Sequence, residues 1–544
     1  MSNKAEGIKI KSKKLRGTLD DSLQNPITGS LFEDDQTVIK FHGIYQQDDR
    51  DRRDERAEKK LEPLYSFMIR LRIPGGKISA KQWVGANEIA DQYSTGIIKV
   101  TTRQTIQLHG VIKSTLKPTV SWFDKYDLDS IAACGDVNRN IMSTATIAGS
   151  KAEDEVYEFS KKISEHLLPA TNAYQEIWLD GEKVSTKEVE PIYGETYLPR
   201  KFKIVIAIPP DNDVDLYAHD VGLIAIIEDK KLKGFNVVVG GGMGNTHGNK
   251  ETYPRIGNLI GYADKKDIIK VVEAIATTQR DYGNREDRKL SRFKYTVARL
   301  GVDFVKEEIE KRSVKLEPAK HFKFETRNDY YGWHQDYNNN YHNLIFVENG
   351  RILDDEKSQL KSALLEITKN NLSDIRFTSN QNVIISNIDP KNKEKVEKIL
   401  EKYNVSDKGV SNIRKNAMAC VALNTCPLAL AEGQRYLPDL IGKFEILLKK
   451  HDISNNPVSV RMTGCPNGCA RPFMAEIGFV GKAMGVYNMY IGGSATGERL
   501  NTLYKEDLNE NEILENLDIL FAQYVREKQE NETFGDFSYK LIKN

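Results

Sequence analysis

The stretch Arg461-Met-Thr-Gly-Cys-Pro-Asn-Gly-Cys-Ala-Arg471 places Cys465 and Cys469 on one short segment, and Cys420 and Cys426 form a second pair upstream. Four thiolates brought together suit an iron-sulfur cluster or a tetrahedral zinc ion. Structural zinc usually has about two to four residues between paired ligands. The five residues between Cys420 and Cys426, and the lack of a partnering His, therefore favour the cluster.

Turn-forming residues surround the second cysteine pair. Pro466, Asn467 and Gly468 favour a tight loop, and the apolar runs at 458–462 and 476–480 predict a strand on each side of it. Free backbone N–H groups in such a loop stabilise anionic sulfur. The segment therefore predicts a strand, a cluster-binding loop and a second strand.

The first pair ends in Cys426-Pro427, and apolar residues recur at helical spacing over 437–448. Pro427 predicts the start of this helix, because proline is common in the first helical turn. A cysteine just before a helix N-terminus is favoured as thiolate. Cys134 stands alone and is predicted to be an ordinary buried thiol.

The sirohaem-dependent sulfite and nitrite reductases have a signature that two stretches resemble, Ala419-Cys-Val-Ala-Leu-Asn-Thr-Cys-Pro-Leu-Ala-Leu-Ala-Glu432 and Thr463-Gly-Cys-Pro-Asn-Gly-Cys-Ala-Arg471. The chain is most similar to the haemoprotein (beta) subunits of bacterial assimilatory NADPH-dependent sulfite reductases, from about Leu61 to near the C-terminus. Four further stretches belong to this resemblance: Thr101-Thr-Arg-Gln-Thr-Ile-Gln-Leu-His-Gly110, Asp136-Val-Asn-Arg-Asn140, Tyr197-Leu-Pro-Arg-Lys-Phe-Lys203 and Thr278-Gln-Arg-Asp-Tyr-Gly-Asn-Arg285.

The resemblance implies the six-electron reduction of sulfite to sulfide, as in assimilatory sulfate reduction and cysteine biosynthesis, at a sirohaem coupled to one 4Fe-4S cluster. It implies that the cluster is held by Cys420, Cys426, Cys465 and Cys469. It also implies that Cys469 is the axial ligand that joins the cluster to the sirohaem iron. The implied substrate-binding residues are Arg70, Arg139, Lys201 and Lys203. The implied contacts to the macrocycle or its carboxylates are Arg103, Gln107, His109, Arg288 and Asn467.

The residue types suit this chemistry because sulfite and sirohaem are both anionic, and arginine and lysine bind such groups. Without the resemblance, several of these residues have simpler interpretations. Lys201 and Lys203 alternate on a strand-like run and would be read as a solvated edge. Arg70 and Arg72 also alternate, and composition does not say which one points inward. His109 would be read as a core histidine with both ring nitrogens satisfied.

Composition describes an ordinary soluble globular protein, with 39% hydrophobic and 29% charged residues. The 544 residues suffice for three or four domains. A net charge of +1 excludes a globally basic nucleic-acid binder. We expect a cytoplasmic protein, because neither a membrane span nor a signal-peptide core is recognisable and clustered thiols suit a reducing compartment.

The chain carries an internal repeat. A predicted helix at 82–93 is followed by two short strands within 97–108, and a helix at 358–371 is followed by the same plan within 374–385. Three pairs of stretches align in order: Thr101-Thr-Arg-Gln104 with Thr378-Ser-Asn-Gln381, Asn140-Ile-Met with Asn416-Ala-Met, and Phe235-Asn-Val-Val-Val-Gly-Gly241 with Tyr487-Asn-Met-Tyr-Ile-Gly-Gly493.

The repeat and the resemblance together predict an α+β fold with pseudo-twofold duplication, in which mixed sheets flanked by helices form three domains. The two halves have diverged, because Asn380 stands opposite Arg103 and Thr144 opposite Cys420. We expect one cofactor site between them. The predicted segments are a charged N-terminal extension at 1–60, a ferredoxin-like pairing domain at 61–131 with 333–405, a first α/β domain that binds sirohaem and substrate at 132–332, and a second that holds the cluster at 406–544.

The extension at 1–60 is polar and charged and is predicted to be flexible or dependent on a partner for its order. Gly240-Gly-Gly-Met-Gly244 lacks the later glycine of a dinucleotide-binding motif. No flavin or NADPH domain is recognisable either, so electrons are expected from another protein. The resemblance implies an NADPH-oxidising flavoprotein (FAD/FMN) alpha subunit as donor, with ferredoxin as the alternative.

Two other functions stay open. A sirohaem nitrite reductase would have the same fold, but Arg139 favours sulfite, since the nitrite enzymes often carry Asn at that position. A non-catalytic protein with a four-cysteine zinc site or sensing cluster is the other alternative, and an absorption spectrum would distinguish it.

Overall fold

The computed structural model describes residues 3–182 and 188–543. Two five-stranded antiparallel sheets form the pairing region. Pairing sheet 1 has the order β1 (Ile44–Asp48), β2 (Tyr65–Arg70), β5 (Ile106–Val111), β4 (Ile98–Val100), β13 (Arg351–Ile352). Pairing sheet 2 has the order β11 (Gly332–Gln335), β12 (Tyr341–Ile345), β15 (Val383–Ile388), β14 (Asp374–Phe377), β3 (Lys77–Ile78).

Each pairing sheet ends in a strand that comes from the other half of the chain. Ile352 of β13 lies opposite Ile98 of β4, and Ile78 of β3 lies opposite Ile375 of β14. The helices Ala80–Tyr93 and Leu360–Lys369, which follow the exchanged strands, pack against each other. The exchange joins the halves through backbone hydrogen bonds as well as side-chain packing.

Two further sheets share one topology and carry the rest of the chain. α/β sheet 1 contains β6 (Met142–Ser143), β7 (Ile204–Ala207), β8 (Val221–Glu228), β9 (Lys231–Val239) and β10 (Asn258–Asp264). α/β sheet 2 contains β16 (Ala417–Ala419), β17 (Val460–Thr463), β18 (Ile477–Ala483), β19 (Val486–Ile491) and β20 (Thr502–Leu508). In each sheet the first three strands are parallel and the last two antiparallel. The predicted repeat is therefore confirmed.

Equivalent turns show the repeat in detail. Gln104 and Gln381 both have positive φ, at 55° and 71°. The amide of Thr101 bonds the Thr105 carbonyl oxygen at 2.7 Å, and that of Thr378 bonds the Asn382 carbonyl oxygen at 3.0 Å. The predicted alignment of these stretches thus joins structurally equivalent turns between neighbouring strands.

Helices flank the four sheets, and the apolar side chains form two main cores. One apolar core joins the pairing region to α/β sheet 1, and a second lies around α/β sheet 2. The helices are Lys4–Lys11, Leu19–Gln24, Asp35–Val38, Arg53–Glu58, Ala80–Tyr93, Leu116–Lys125, Lys151–His166, Ala173–Trp178, Ile268–Tyr282, Phe293–Leu300, Val302–Arg312, Leu360–Lys369, Lys393–Lys402, Asn412–Lys415, Leu437–Lys450, Glu510–Glu527 and Phe534–Lys543.

The two halves meet at a buried ion pair between equivalent positions. Asp215 lies between β7 and β8, and Arg471 lies at the same place between β17 and β18. Both have left-handed backbone, at φ 48° and 54°, and each precedes a short 3-10 helix. The Arg471 guanidinium donates to the Asp215 carboxylate, and Arg461 donates to the same carboxylate. This contact crosses the pseudo-twofold axis and adjoins the second cysteine loop.

The N-terminal segment differs from its prediction as a flexible or partner-dependent extension. Strand β1 pairs with β2, so it is the edge strand of pairing sheet 1 and the counterpart of β11. Leu19, Ile39 and Phe41 of this segment are buried in the first core. The charged runs at both ends of the segment favoured a flexible extension, but its buried apolar residues pack into a core built largely by later segments.

Candidate active site

Two loops that follow neighbouring parallel strands bring the cysteine pairs together. Cys420 follows β16 and Cys465 follows β17, and these strands pair in parallel. The carboxyl ends of parallel strands meet at one sheet edge. There the Gly464 amide donates to the Cys420 Sγ at 3.4 Å, and the Asn467 Nδ2 donates to the Cys465 Sγ at 3.4 Å. Both donors belong to the predicted cluster-binding loop.

Two glycines allow this loop to approach its neighbours. A Cβ at Gly464 would lie 2.5 Å from the Ala431 carbonyl oxygen and 2.7 Å from the Ala422 Cβ. Gly468 has φ +63°, in the left-handed region that favours glycine. The close approach of the two cysteine loops therefore depends on the missing side chain at Gly464, and the turn between Cys465 and Cys469 depends on the backbone freedom of Gly468.

Burial and mutual repulsion raise the pKa values of three of the thiols. Burial, followed by Cys469, raises the pKa of Cys426 to about 11 and also raises those of Cys420 and Cys465. The four sulfurs thus lie within electrostatic range of one another. Among residues 3–182 and 188–543, no three His, Cys, Asp or Glu side chains could hold a single metal ion. The four-thiol set fits a larger iron-sulfur cluster better than zinc, and cationic iron is the partner that would hold all four as thiolates.

The predicted helix after Cys426 starts later than expected. The helix runs over Leu437–Lys450, and turns occupy the residues that follow Pro427. Cys426 is therefore not at a helix N-terminus, and the argument that a helix dipole favours its thiolate is wrong. The loop that contains Cys426 is held instead by contacts from a distant part of the chain.

Residues 49–51, the N-terminal clamp, hold that loop. The Arg50 amide donates to the Asn424 carbonyl oxygen at 3.1 Å, and the Arg50 guanidinium donates to the Cys426 carbonyl oxygen at 3.1 Å. The Asn424 Nδ2 donates to Asp49 at 2.8 Å. A charged run that was predicted to be flexible thus holds the backbone of a predicted cluster ligand.

Arg70 belongs to a cluster of positively charged side chains with Arg103, Arg139, Lys201 and Lys203, here called the cationic site. The Arg70 guanidinium donates to the Gln107 Oε1 at 3.0 Å and to the Cys134 Sγ at 3.2 Å. Arg72 forms an ion pair with Asp129. Cys134 is therefore a neighbour of a predicted substrate-binding residue, which the sequence interpretation as an ordinary thiol did not anticipate.

The other three predicted substrate-binding residues also belong to the cationic site. Arg139 donates to the Gly135 carbonyl oxygen at 3.1 Å and to the Tyr45 hydroxyl at 3.3 Å. Lys201 and Lys203 flank the fully buried Phe202, so their side chains leave the opposite face of the strand. They are half-buried, in contrast to the solvated edge that their sequence alone suggests.

Electrostatics connect the two lysines with the cysteine cluster. Burial, with Arg200, Arg292 and Arg139, lowers the pKa of Lys201 to about 7. Burial, with Arg103, lowers the pKa of Lys203 well below its usual value. Cys469 raises the pKa of both lysines, so its thiol lies within reach of both charges. Cys469 is also exposed, unlike Cys465.

Arg103 and His109 contrast among the predicted sirohaem contacts. Arg103 is buried, and its Nε has no hydrogen-bond partner among the described residues. His109 has both ring nitrogens satisfied, by the Gln107 Nε2 at 2.9 Å and by the Gln47 Oε1 at 3.0 Å. Burial lowers the pKa of His109 to about 3, so its ring is neutral. Arg103 is available to an anion in a way that His109 is not.

Arg288 and Asn467 already have partners in the protein. The Arg288 guanidinium donates to both carboxylate oxygens of Asp136, at 2.8 and 3.1 Å. The Lys9 Nζ lies 3.7 Å from the same carboxylate. Asn467 donates to the Cys465 Sγ. The predicted contacts of these residues with sirohaem stay predictions.

The cationic site and its immediate neighbours include more cations than carboxylates, and the sequence reasoning missed two of these cations. Burial and neighbouring arginines lower the pKa of Lys40 and lower that of Arg200 to about 10. Asp136 is paired with Arg288, and Asp220 is paired with Arg292. Unpaired buried charge is costly, so the surplus fits a polyanionic ligand such as sirohaem. Arg200 adjoins Lys201 in sequence, but Lys40 had no local signal.

Family comparisons give the same assignment. The description "Nitrite and sulphite reductase 4Fe-4S domain" matches residues 158–316, and "Nitrite/Sulfite reductase ferredoxin-like half domain" matches 59–121 and 335–403. A protein of Leptospira biflexa named sulfite reductase (NADPH) hemoprotein beta-component is 58% identical over 542 residues, which cover 99% of this chain and 98% of the relative. The chain belongs to the nitrite and sulfite reductase family.

Other members of the nitrite and sulfite reductase family agree. Proteins with the same name from Staphylococcus epidermidis and Oceanobacillus iheyensis are 53% and 50% identical, over 98% of this chain and 94% and 93% of theirs. The structure of Mycobacterium tuberculosis NirA protein superposes with a TM-score of 0.78 at 22% identity, over 98% of this chain and 95% of that one. The predicted family, duplicated α+β fold and enzyme class are confirmed.

The range matched by the 4Fe-4S domain model and the four cysteines lie in different copies of the repeat. The matched 4Fe-4S range, 158–316, lies in the first copy of the repeat, whereas the four cysteines lie in the second. The two copies share a topology, so a match to one describes the architecture of both. Within the described residues, no helix has the length and apolarity needed to cross a membrane.

Proposed function

We propose that this chain reduces sulfite to sulfide, with sirohaem and a 4Fe-4S cluster as its cofactors. The observation that carries the proposal is the surplus of half-buried and buried cations near the exposed Cys469 of a four-thiol set. A structural zinc site has no use for such a surplus. The relatives named sulfite reductase hemoprotein beta-component support the same substrate.

The residues of the cationic site would have different roles in the reaction. When bound, the cofactors supply the electrons and an iron that takes the substrate sulfur. Arg70, Arg139, Lys201 and Lys203 would bind the sulfite oxygens, offset the negative charge and weaken the S–O bonds. Each oxygen leaves as water and needs protons, and a lysine whose pKa lies near 7 can donate one at neutral pH.

Cys420, Cys426, Cys465 and Cys469 would hold the cluster, and Cys469 would also ligate the sirohaem iron. The Gly464 amide and Asn467 side chain already donate to sulfur, and such donors stabilise anionic thiolate. Arg103 would take a sirohaem carboxylate with its unpaired Nε. Gln107, which bonds both Arg70 and His109, would set the positions of its neighbours.

Nitrite reduction is the second candidate, and substitution of Arg139 separates it from sulfite reduction. Arg139→Asn is expected to lower kcat/KM for sulfite about tenfold or more, and to lower that for nitrite less. The reason is that the more highly charged sulfite loses more when a desolvated cation is removed, and a charge-assisted hydrogen bond contributes roughly 1.5–3 kcal/mol. Steady-state rates with reduced methyl viologen would be compared for both substrates.

The Arg139 experiment needs a check on cofactor content. Sirohaem and iron are quantified in each preparation, and Arg139→Lys serves as the matched variant that keeps the charge without the planar fork. Equal losses for sulfite and nitrite, with full cofactor content, would contradict a role for Arg139 in binding sulfite.

The electron donor is proposed to be an NADPH-oxidising flavoprotein subunit, with ferredoxin as the alternative, and the compartment is proposed to be the cytoplasm. The loaded chain is expected to make sulfide with reduced methyl viologen and not with NADPH alone, because its sequence shows no nucleotide-binding unit. Adding the flavoprotein is expected to restore NADPH-dependent sulfide production. NADPH oxidation coupled to sulfide formation by the isolated chain would overturn the two-protein proposal.

Deletion of residues 1–60 is not a clean test of docking. It would remove β1 from pairing sheet 1 and Arg50 from the Cys426 loop, so a loss of activity would follow from either cause. Point variants on exposed positions are the appropriate probes of donor binding.

A further inference from the structure

A row of polar and basic side chains crosses pairing sheet 1 on one face. Arg70 of β2 lies opposite Gln107 of β5, Gln107 lies opposite Lys99 of β4, and Lys99 lies opposite Arg351 of β13. Residues directly opposite on neighbouring strands point to the same face. The row therefore begins at the proposed substrate pocket and continues past it to Lys99, a residue with no part in the function described so far.

Lys99 is tied to the backbone around a cluster ligand. Its Nζ donates to the Asn349 carbonyl oxygen. The Asn349 side chain accepts from the Ala419 amide at 3.1 Å and donates to the Gln434 carbonyl oxygen at 3.0 Å. The Gln434 amide donates to the Cys420 carbonyl oxygen at 3.0 Å. Lys99 thus supports, through Asn349, the segments on both sides of Cys420.

Lys99 is also a buried charge without a carboxylate partner among the described residues. It is 4% exposed, and the hydrogen bond that its Nζ forms with the described residues is to the neutral Asn349 carbonyl oxygen. Burial lowers its pKa to about 7, Cys420 raises that pKa, and Arg351 lowers it. A buried ammonium usually has an anionic partner. Here the anion within range is the thiolate side of the cluster site.

We propose that Lys99 is an electrostatic partner of the cluster, and that its ammonium charge raises the reduction potential of the cluster. The inference rests on the proposed function, because it requires the cluster to be bound by Cys420. When the cluster accepts one electron from the donor, it gains one negative charge, and a buried cation beside Cys420 stabilises that state. Lys99 acts through the field it imposes and is not itself a catalytic residue.

The test is the midpoint potential of the cluster in the loaded full-length protein, measured by redox titration with electron paramagnetic resonance. Lys99→Gln removes the charge and keeps a donor for the Asn349 carbonyl oxygen. Its expected effect is an approximately tenfold fall in the equilibrium constant for one-electron reduction, about 59 mV. That size follows from losing one charge within roughly 10 Å at an effective dielectric constant of about 20. Lys99→Arg keeps the charge and is expected to keep the potential.

A second variant covers the case in which Lys99→Gln fails to retain the cluster. Asn349→Asp leaves Lys99 in place and sets a negative charge on the side chain that bonds the Ala419 amide, next to Cys420, so the potential is expected to fall in the same direction. Lys113→Met is the matched control, since Lys113 is another lysine that donates to carbonyl oxygens, those of Asn25 and Ser30.

The outcomes separate the inference from the proposed function. Unchanged potentials in Lys99→Gln and Asn349→Asp, with an intact cluster signal, would overturn the role of Lys99 and leave sulfite reduction standing. Equal shifts in Lys99→Gln and Lys99→Arg would show a positional effect and also overturn it. Absence of any cluster in the unaltered protein would overturn the proposed function itself.

Discussion

Replacing Cys469 by serine is expected to abolish sulfite reduction and to remove the coupled cofactor centre. A serine hydroxyl is a hard, protonated group at neutral pH, whereas iron-sulfur clusters are held by soft thiolates. Cys469 is the exposed thiol of the set, and its charge reaches both Lys201 and Lys203. Serine at Cys420, Cys426 or Cys465 is expected to destabilise the cluster and, with it, sirohaem retention.

The measurement is the iron, acid-labile sulfide and sirohaem content of each purified variant, together with absorption spectra and sulfide production. Met484→Ser is the control, because Met484 is exposed between β18 and β19 in the same sheet. Full cofactor loading and activity in Cys469→Ser would refute the assignment of this ligand.

Replacing Lys201 by methionine is expected to lower sulfite turnover by about 10²–10⁴-fold, the usual contribution of a positioned acid. Methionine keeps the length of the side chain and removes its charge and proton. Lys231→Met, in the same sheet, is the control because Lys231 is exposed. Rates with reduced methyl viologen, at matched sirohaem content, would measure the effect.

The pH dependence gives Lys201 a second signature. Burial and neighbouring arginines lower the pKa of Lys201 to about 7. The protonated form, which donates the proton, therefore declines as the pH rises through that value. Bound anions stabilise the ammonium and move the decline to higher pH. Turnover of the unaltered protein is therefore expected to fall on the alkaline side, and the residual turnover of Lys201→Met is expected to lack that limb. An identical alkaline limb in both proteins would exclude Lys201 as the proton donor.

The same positive charges affect both the binding of sirohaem and proton donation by Lys201. Lys40 and Arg200 would help to bind a polyanion. Arg200, with Arg292 and Arg139, also lowers the pKa of Lys201. A cationic site of this kind can bind an anionic cofactor and still leave one lysine able to release a proton near neutral pH.

Several sequence predictions were possible because they depend on local pattern. The loop at Pro466–Gly468 and its flanking strands were visible as turn residues between apolar runs, and they appear as β17, a turn and β18. The helix Ala80–Tyr93 has Ser79 and Gln82 as a capping box, so its start is also written locally. The helix after Cys426 was misplaced because Pro427 starts a series of turns and not a helix.

The sequence by itself determined the repeat and the family, and it predicted the four-thiol ligand set, because spacing and order can be read without knowledge of strand partners. Only the tertiary structure decided which of Arg70 and Arg72 joins the cationic site, that Arg288 is held by Asp136, and that Arg50 reaches the Cys426 loop. These contacts join residues far apart in the chain. Strand register and the pairing of buried charges set them, and both depend on the whole fold.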